Sequence, residues 1–374
     1  MKGASDPFSM VPQDPAEQWI PGSRVKKQEL DVDDLSWLMN KAPLTLSEII
    51  NISLNNNPET KKSWADARIA SAKYGQSMKD YYLLSEVDAQ YLRTREAEFT
   101  SNFRSIIYET NYGAELRLNY LILDFGQRRA TTQAALEALH SADFSHNRRI
   151  QETIQTSMDD YYNYLYSKEL VRAGEQDVIN AQIALDAVLE KFKTGIADVS
   201  DKVQATTRLL QEKLNVVERQ KSEVNTYTTL ANTMGLPANN FLAEVAGFPN
   251  EVTLFPIENL DCFVDKALDY RPDLLSAEAS LRSAKQKVKA AEAERYPKFN
   301  GSFEIGRNYY NNGVNDHYDF AAQVDFSVPL FQGFYISNTI KLNKAKAERA
   351  QSELDQLKIK AMQEVTQYRS DAQF

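Results

Sequence analysis

Few residues of this chain have the types and spacing that covalent or metal chemistry needs. The three histidines are His140, His146 and His317, and their separations do not match those of metal ligands. The single cysteine, Cys262, adds no thiolate pair to them and cannot form an internal disulfide. We therefore predict ordinary surface histidines and no bound metal.

The strongest candidate for acid–base chemistry is the carboxylate pair Asp159 and Asp160, next to Tyr161 and Tyr162. On a long helix such neighbours are more simply explained as solvated charges. No phosphate-binding loop or nucleotide fingerprint is present. The sequence therefore predicts no enzyme and no cofactor.

Composition excludes two further classes. The chain has 374 residues, a net charge of −9, a sequence pI of about 5.1 and a mean hydropathy of −0.51. No basic tract is present that would neutralise phosphates, so nucleic acid is not the main partner. No run of 18 apolar residues is present, which excludes a helical membrane protein.

The elements that organise the chain begin at residues 111–134, where a strand pattern changes into a helix pattern. Apolar side chains alternate with polar ones, and this period of two indicates a strand with two different faces. The apolar face runs for about ten residues, the length that a tilted strand needs to cross a bilayer. The apolar positions are Tyr112, Ala114, Leu116, Leu118, Tyr120 and Ile122, opposite Gly113, Glu115, Arg117 and Asn119.

The same alternation predicts four strands, at about 84–94, 111–125, 299–309 and 318–330. Four strands cannot close a barrel, which needs about eight, and open edges are not tolerated in hydrocarbon. We therefore expect a barrel shared between chains, with apolar faces toward lipid. The predicted lumen-facing residues are Glu86, Asp88, Glu115, Arg117, Asp319 and Asp325.

Two alternatives remain open for these strands. A water-soluble β-sandwich also alternates on one face, but long helices emerging directly from its strands suit it poorly. The lumen carboxylates either favour cations through their summed field or are solvated polar filling of a wide pore.

Long helices are predicted between the strands, at about 127–193 and 200–233, because proline is absent from both. Gly195 is the natural turn residue between them, and Asp198 or Ser200 can cap the second helix. Gly235 and Pro237 end it. Coiled-coil-like spacing places Ile150, Ile154, Met158, Tyr161 and Leu165 on one seam, and Leu210, Leu214, Val217 and Val224 on another.

An internal repeat divides the chain. Residues 53–58 correspond to 267–272, and 123–126 correspond to 330–333, which indicates a half-chain duplication. We predict an extended, proline-containing leader at 1–43, with a tag remnant at 1–10, a first repeat at 44–236, a linker at 237–259 and an incomplete second repeat at 260–374. Because the long helix of this second repeat is cut short and its partner helix is missing, we expect a chain shortened at its C-terminus, naturally or by design.

Several segments resemble the outer-membrane factor family, the TolC-like trimeric ducts of efflux and secretion. LDFGQRRA (123–130) and PLFQGFYISNTIKLNKAKAE (329–348) resemble the family's strand-to-helix transitions. KFKTGIADVSDKVQATTRL (191–209) resembles the helix turn at its periplasmic tip. NTMGLP (232–237) and ALDYRPDLLSAEASL (267–281) resemble a helix end and a repeat start. The resemblance covers about residues 44–374.

The resemblance implies a mainly α fold with four membrane strands, in which a homotrimer forms a twelve-stranded barrel above an α-helical periplasmic tunnel. The implied location is the bacterial outer membrane, in contact with its lipid. The implied function is that of a passive exit duct in a tripartite efflux or type I secretion system. Barrel-to-helix transitions are expected at Asp124, Phe125, Gly126, Phe331, Gln332 and Gly333.

The resemblance also implies a periplasmic adaptor protein on the tip turn, with an inner-membrane pump or ABC transporter behind it. The contact residues are expected to be Phe192, Lys193, Thr194, Gly195, Ile196, Asp198 and Asp201. The alternative is a periplasmic coiled-coil scaffold or adaptor without a pore. The family's second tip turn has no counterpart here, so no gate residues are predicted, and the sequence does not distinguish drug, metal or protein cargo.

Overall fold

A computed structural model describes residues 8, 11–12, 14–19, 43–100, 103–236, 244–248, 266–310 and 318–373. In these ranges the fold is mainly helical with four strands, as predicted. The helices are α1 (Leu46–Asn56), α2 (Pro58–Ser77), α3 (Gln127–Lys193), α4 (Val199–Thr233), α5 (Pro272–Ala293) and α6 (Tyr335–Gln373). The strands are β1 (Leu84–Thr100), β2 (Phe103–Leu123), β3 (Lys298–Tyr310) and β4 (Tyr318–Ser327), and a 3-10 turn covers Lys79–Tyr81.

Helix α3 has 67 residues, which corresponds to about 100 Å at 1.5 Å per residue. The bounds of α3 and α4 agree with the proline-free segments to within one residue. Gly174 lies inside α3 because α4 comes close to it there. A Cβ at that position would lie 2.7 Å from Nη1 of Arg219 and 3.2 Å from Val216, so the Arg219 side chain would have to move aside.

The four strands form one antiparallel sheet in the order β1-β2-β3-β4. The β1–β2 hairpin is longer than we predicted, because residues 95–100 and 103–110, expected to be a loop, continue the ladder. Strand pairing therefore continues beyond the residues with apolar alternation. At the opposite ends, β2 stops at Leu123 and β4 at Ser327, short of the predicted 125 and 330.

The chain forms two compact units that do not follow the sequence repeat. One contains residues 12–66 and 145–258, and its core lies between α1, α3 and α4, with Ile49, Tyr161, Leu165, Leu230 and Met234 buried. The other contains residues 1–11, 67–144 and 259–374. Its cores are Leu274, Leu281 and Leu354 between α5 and α6, and Val11, Ala67 and Leu139.

Three patterns differ from expectation. On α3, Met158 is exposed although its predicted seam neighbours Ile150 and Tyr161 are buried. The predicted α4 seam is between 52% and 63% exposed in the single chain, because α4 packs on α3 through Leu209 instead. In the predicted linker, residues 244–248 are described, and Val245 is buried and bridges to Leu44. Residues 20–42 of the leader and the rest of the linker lie outside the described residues.

Candidate functional site

Strand pairing gives the sheet one apolar and one polar face. Residues paired across neighbouring antiparallel strands lie on the same face. One row of pairs joins Val87, Leu116, Ile305 and Phe320, and the next joins Ser85, Leu118, Phe303 and Ala322. The alternate rows hold the polar side chains, so the face predicted from the alternation forms a continuous apolar surface across all four strands.

The six residues predicted to face a lumen all lie on the polar face. One row contains Glu86, Arg117, Glu304 and Ala321, and the next contains Asp88, Glu115, Gly306 and Asp319. Asp325 lies on the same face of β4, opposite Asn300. The sheet therefore brings these residues together, while their exposure to a lumen remains a proposal.

Arg117 is the centre of an ion-pair cluster on the polar face. Its guanidinium lies 3.1 Å from Asp88 and 2.8 Å from Glu304, and it also donates a hydrogen bond to Glu115. These contacts join β1, β2 and β3. All four side chains are about a third exposed, so each pair stabilises the sheet by no more than about 1 kcal/mol. Glu304 was not among the predicted residues, although its position in the alternation of β3 is a sufficient signal.

The first strand-to-helix transition is held by one buried carboxylate. Asp124 is 4% exposed and accepts hydrogen bonds from the backbone N–H groups of Gly126 and Arg128, which caps the N-terminus of α3. Phe125 and Gly126 have φ of 52° and 97°, the left-handed conformation that reverses the chain. We did not predict Arg128, which donates to the carbonyl oxygens of Leu121 and Asp80.

The second transition has a similar left-handed pair, shifted by one residue, and lacks the buried carboxylate. Gly333 and Phe334 have φ of 56° and 63°, and α6 begins at Tyr335, one position later than α3 begins in the first copy. Phe331 stands where the first copy has Asp124 and is 75% exposed. The second copy therefore has a left-handed turn one position later than the first and does not have its cap.

The turn between α3 and α4 is capped from both sides. Gly195 has φ of 75°, and the N–H of Ile196 donates to the carbonyl of Lys191 at 2.9 Å, closing the last turn of α3. Asp198, one of the two predicted caps, accepts from the N–H of Asp201 at 2.9 Å, and Asp201 accepts from the N–H of Asp198 at 3.1 Å. This capping box fixes a turn in which Ile196 is 78% exposed.

The other predicted turn residues surround this exposed isoleucine. Phe192 is 37% exposed and lies under Lys202, whose Nζ is 5.6 Å from the ring centroid. Lys193 forms an ion pair with Glu190 at 2.6 Å, and the Thr194 hydroxyl donates to the carbonyl of Lys191. The turn thus presents an apolar apex on a locally rigid backbone.

The prediction of surface histidines is wrong for His146. Its side chain is fully buried, with Nδ1 2.9 Å from Ser63 Oγ and Nε2 3.2 Å from the carbonyl oxygen of Glu17. Burial lowers the pKa of His146. His140 is half-buried beside Glu137, and His317 lies outside the described residues.

Asp159 and Asp160 lie in different environments. Asp159 is exposed, whereas Asp160 accepts a hydrogen bond of 2.6 Å from the hydroxyl of Thr233 at the end of α4. In the described part of the chain, no group of three or more His, Cys, Asp or Glu side chains is arranged to hold a metal ion.

None of the described helices combines the length and hydropathy of a membrane-spanning helix.

A sheet with one apolar face, continued by helices of 35 to 67 residues, defines a class of channel-forming membrane proteins. The sequence profile of the family described as outer membrane efflux protein matches residues 49–236 and 263–373, and the chain belongs to that family. Its location is the bacterial outer membrane, with the long helices in the periplasm.

Relatives and solved structures agree with this membership. Protein CyaE of Bordetella pertussis is 22% identical over 84% of this chain and 66% of its own length. The pyoverdine export outer membrane protein OpmQ of Pseudomonas putida is 27% identical over 78% of this chain and 62% of its own. The structure of the outer-membrane channel OprN has a TM-score of 0.76, covering 87% of this chain and 74% of OprN at 16% identity. The chain thus spans about two thirds of the length of these two curated relatives.

Proposed function

We propose that this chain is the outer-membrane exit duct of a tripartite efflux or type I secretion system, a passive conduit across the outer membrane and periplasm. The observation that carries the proposal is the sheet itself. One face is mainly apolar on all four strands, the other is mainly polar, and β2 and β4 are followed directly by long helices. In a periplasmic scaffold without a pore this sheet face would be exposed to water, so the scaffold does not explain why the face is apolar on all four strands.

The sheet also supports assembly from several copies. Its order leaves β1 and β4 as edges, and unpaired edges are too costly in hydrocarbon. Pairing of β4 with β1 of the next copy removes them, and three copies give twelve strands. The exposed α4 stripe of Leu210, Leu214, Val217 and Val224 supplies a second self-association surface at coiled-coil spacing.

In this assembly the polar face lines the lumen, and Gly126 and Gly333 lie where the barrel becomes the tunnel. The turn around Ile196 is the docking point for a periplasmic adaptor, which connects the duct to an inner-membrane pump or ABC transporter. Its exposed apex and its two caps support this role, because a fixed apolar apex loses little entropy on binding.

Conductance measurements test the duct directly. We expect the full chain, purified in detergent, to have the mass of a trimer by native mass spectrometry and to give stepwise single-channel currents in planar bilayers. A protein that stays monomeric without detergent and gives no currents would contradict the proposal.

Adaptor docking is tested separately by photo-crosslinking in cells. A benzoylphenylalanine at Ile196 should crosslink to a periplasmic adaptor, identified by mass spectrometry. The matched control is the same substitution at Ile183, which is 62% exposed on α3 but distant in sequence from the turn. Equal crosslinking at both positions would contradict a specific docking turn.

A further inference from the structure

The two edges of the sheet each carry an exposed apolar patch. The β1 patch is Tyr82, Leu83 and Leu84, where β1 begins, and the β4 patch is Leu330 and Phe331, shortly after β4 ends; all five side chains are exposed. Successive strands of the sheet are antiparallel, so the start of β1 and the end of β4 lie at the same end of the sheet. The two patches therefore lie at the helical end of the sheet, on opposite edges.

Both patches continue edges that are uncovered in the single chain. All ten residues of β4 are exposed, and Leu330, three residues after the strand, is 93% exposed. A contiguous exposed apolar surface marks a site of contact with protein or lipid. The candidates for covering the patches are therefore a second copy of the chain and the membrane.

The register of the sheet shows which residues meet when a second copy continues it. Leu84 pairs with Asn119, Asn119 with Ser302, and Ser302 with Gln323, so one row joins Leu84 to Gln323. In a barrel with a strand tilt of about 40°, four strand spacings of about 4.8 Å shift this row along the strand by about 16 Å, or roughly five residues. Leu84 of the next copy then lies opposite a residue about five positions from Gln323.

The direction of this shift follows from the strand bounds. A shift toward the end of β4 places its ten residues opposite about 85–94 of the next β1, which are all strand. The reverse shift places them opposite about 75–84, which are mostly helix and 3-10 turn and offer no ladder. The first direction therefore applies, and it brings Tyr82 and Leu83 of the next copy beside the residues around Leu330.

We propose that the β4 patch packs on the β1 patch of the next copy and continues each seam of the barrel from the last ladder pair into the strand-to-helix transition. The occupant is a second copy because the patches lie on opposite edges and the register brings them to the same level. A contact between two unlike surfaces of identical chains builds a ring and not a two-fold dimer. This inference rests on the proposed assembly from several copies and adds the residues that close each seam.

Cysteine crosslinking of the full chain in detergent tests the contact. In a Cys262→Ser background, Leu83→Cys/Leu330→Cys treated with bismaleimidoethane should give covalently linked trimers on denaturing gels, because each copy carries one thiol on each edge. The matched control Leu83→Cys/Tyr318→Cys places the second thiol at the other end of β4, on an equally exposed residue type. It should remain monomeric on the same gels.

Charge exchange tests the same contact without a crosslinker. Leu83→Lys and Leu330→Glu should each lower the fraction of heat-resistant trimer by about tenfold or more, because each removes an apolar side chain from a buried contact. The double variant Leu83→Lys/Leu330→Glu should regain most of the trimer, because opposite charges then meet across the seam. Helical circular dichroism of each variant measures whether the single chain still folds, and the crosslinks decide the outcome if a charged variant does not.

Native mass spectrometry of the wild type separates this contact from the duct itself. Linked trimer confined to the pair Leu83→Cys/Leu330→Cys, together with rescue in the double charge variant, supports the contact. A trimeric wild type in which the control pair links equally, or in which neither test shows an effect, overturns the contact and leaves the duct intact, with lipid covering the patches. A wild type that stays monomeric contradicts the assembly and the contact together.

Discussion

At the scale of single residues, Asp143 is the side chain least suited to its surroundings. It is fully buried on α3, and among the described residues neither of its carboxylate oxygens has a hydrogen-bond partner. Burial raises the pKa of Asp143 to about 8, from an ordinary value of 3.8. The carboxyl group is therefore neutral at pH 7, because burying an unpaired charge costs more than binding a proton.

This predicts a stability that falls as pH rises. Between about pH 4 and pH 8 the folded chain keeps the proton of Asp143 while the unfolded chain releases it, so the free energy of unfolding decreases through this window and levels off above it. Asp143→Asn should flatten the profile and stabilise the chain at pH 8 by a few kcal/mol, with about 5 kcal/mol as the upper bound. Denaturant unfolding followed by helical circular dichroism at pH 5 and pH 8 measures this.

The control is Asp186→Asn, an exposed position on the same helix. It should leave the pH profile as it is in the wild type. If the wild type had the same unfolding midpoint as Asp143→Asn at pH 5 and also at pH 8, this would contradict the assignment of the titration to Asp143.

Neither Asp143 nor His146 could be recognised from the sequence. Both are polar residues on a long helix, where polar residues are normally solvated. The partners of His146 are Ser63 and Glu17, 83 and 129 residues away, and only the tertiary structure brings them together. Whether a polar group is buried depends on how the whole chain packs, so it cannot be inferred from the residue type alone.

At the scale of elements, turns were more predictable than strand ends. Gly195 and Gly235 stand at helix ends predicted from glycine and proline, and their φ values are 75° and 69°. A left-handed backbone conformation is a local requirement, and a glycine in the sequence indicates it directly. The end of the β1–β2 ladder is not a local property, since residues 95–100 pair with 103–108 although this stretch was predicted to be a loop.

The cap of α4 gives a prediction for the tip turn. Asp198→Ala removes the hydrogen bond that the Asp198 carboxylate accepts from the N–H of Asp201, which should cost about 1 kcal/mol and raise amide exchange of residues 199–203 about fivefold. Hydrogen exchange followed by mass spectrometry measures the rate. Ser200→Ala, on the same exposed turn, should have little effect, and equal acceleration in both variants would contradict the role of Asp198 as the cap.

Two adjacent alanines test the two faces of β4. Ala322 lies on the apolar face opposite Phe303, and Ala321 on the polar face opposite Glu304. Ala322→Lys should destabilise the inserted sheet by about 2–4 kcal/mol and reduce the yield of heat-resistant trimer, because it places a charge in hydrocarbon. Ala321→Lys should be tolerated. Semi-native electrophoresis measures the yield, and equal loss in both variants would contradict the assignment of the faces.

At the scale of the whole molecule, the sequence predicts that the chain needs further copies of itself, but it predicts less well which surfaces those copies contact. The alternation alone predicts four strands, and four strands are too few to close a barrel. The α4 stripe was predicted as a coiled-coil-like seam, and Leu210 and Val217 are 60% exposed in the single chain. Periodicity identifies an apolar stripe but does not state whether it packs within the chain or against another copy.

The polar face predicts the ion preference of the assembled duct. Among the strand residues whose side chains are described, it carries seven carboxylates and two cations, Arg117 and Lys298, and in the proposed assembly three copies multiply that excess around a common lumen. The carboxylates are Glu86, Asp88, Glu109, Glu115, Glu304, Asp319 and Asp325.

We therefore expect permeability to K⁺ to exceed that to Cl⁻. The ratio should be larger at 0.01 M than at 1 M salt, because the screening length falls from about 30 Å to about 3 Å. Asp319→Asn/Asp325→Asn removes two carboxylates outside the Arg117 cluster and should lower the ratio severalfold at low salt. Reversal potentials in a salt gradient measure it. The control Glu353→Gln/Asp355→Asn, which neutralises two exposed carboxylates on α6, should leave the ratio unchanged. A ratio that is the same in all three proteins would mean that the polar face is solvated filling and that its charges do not select ions.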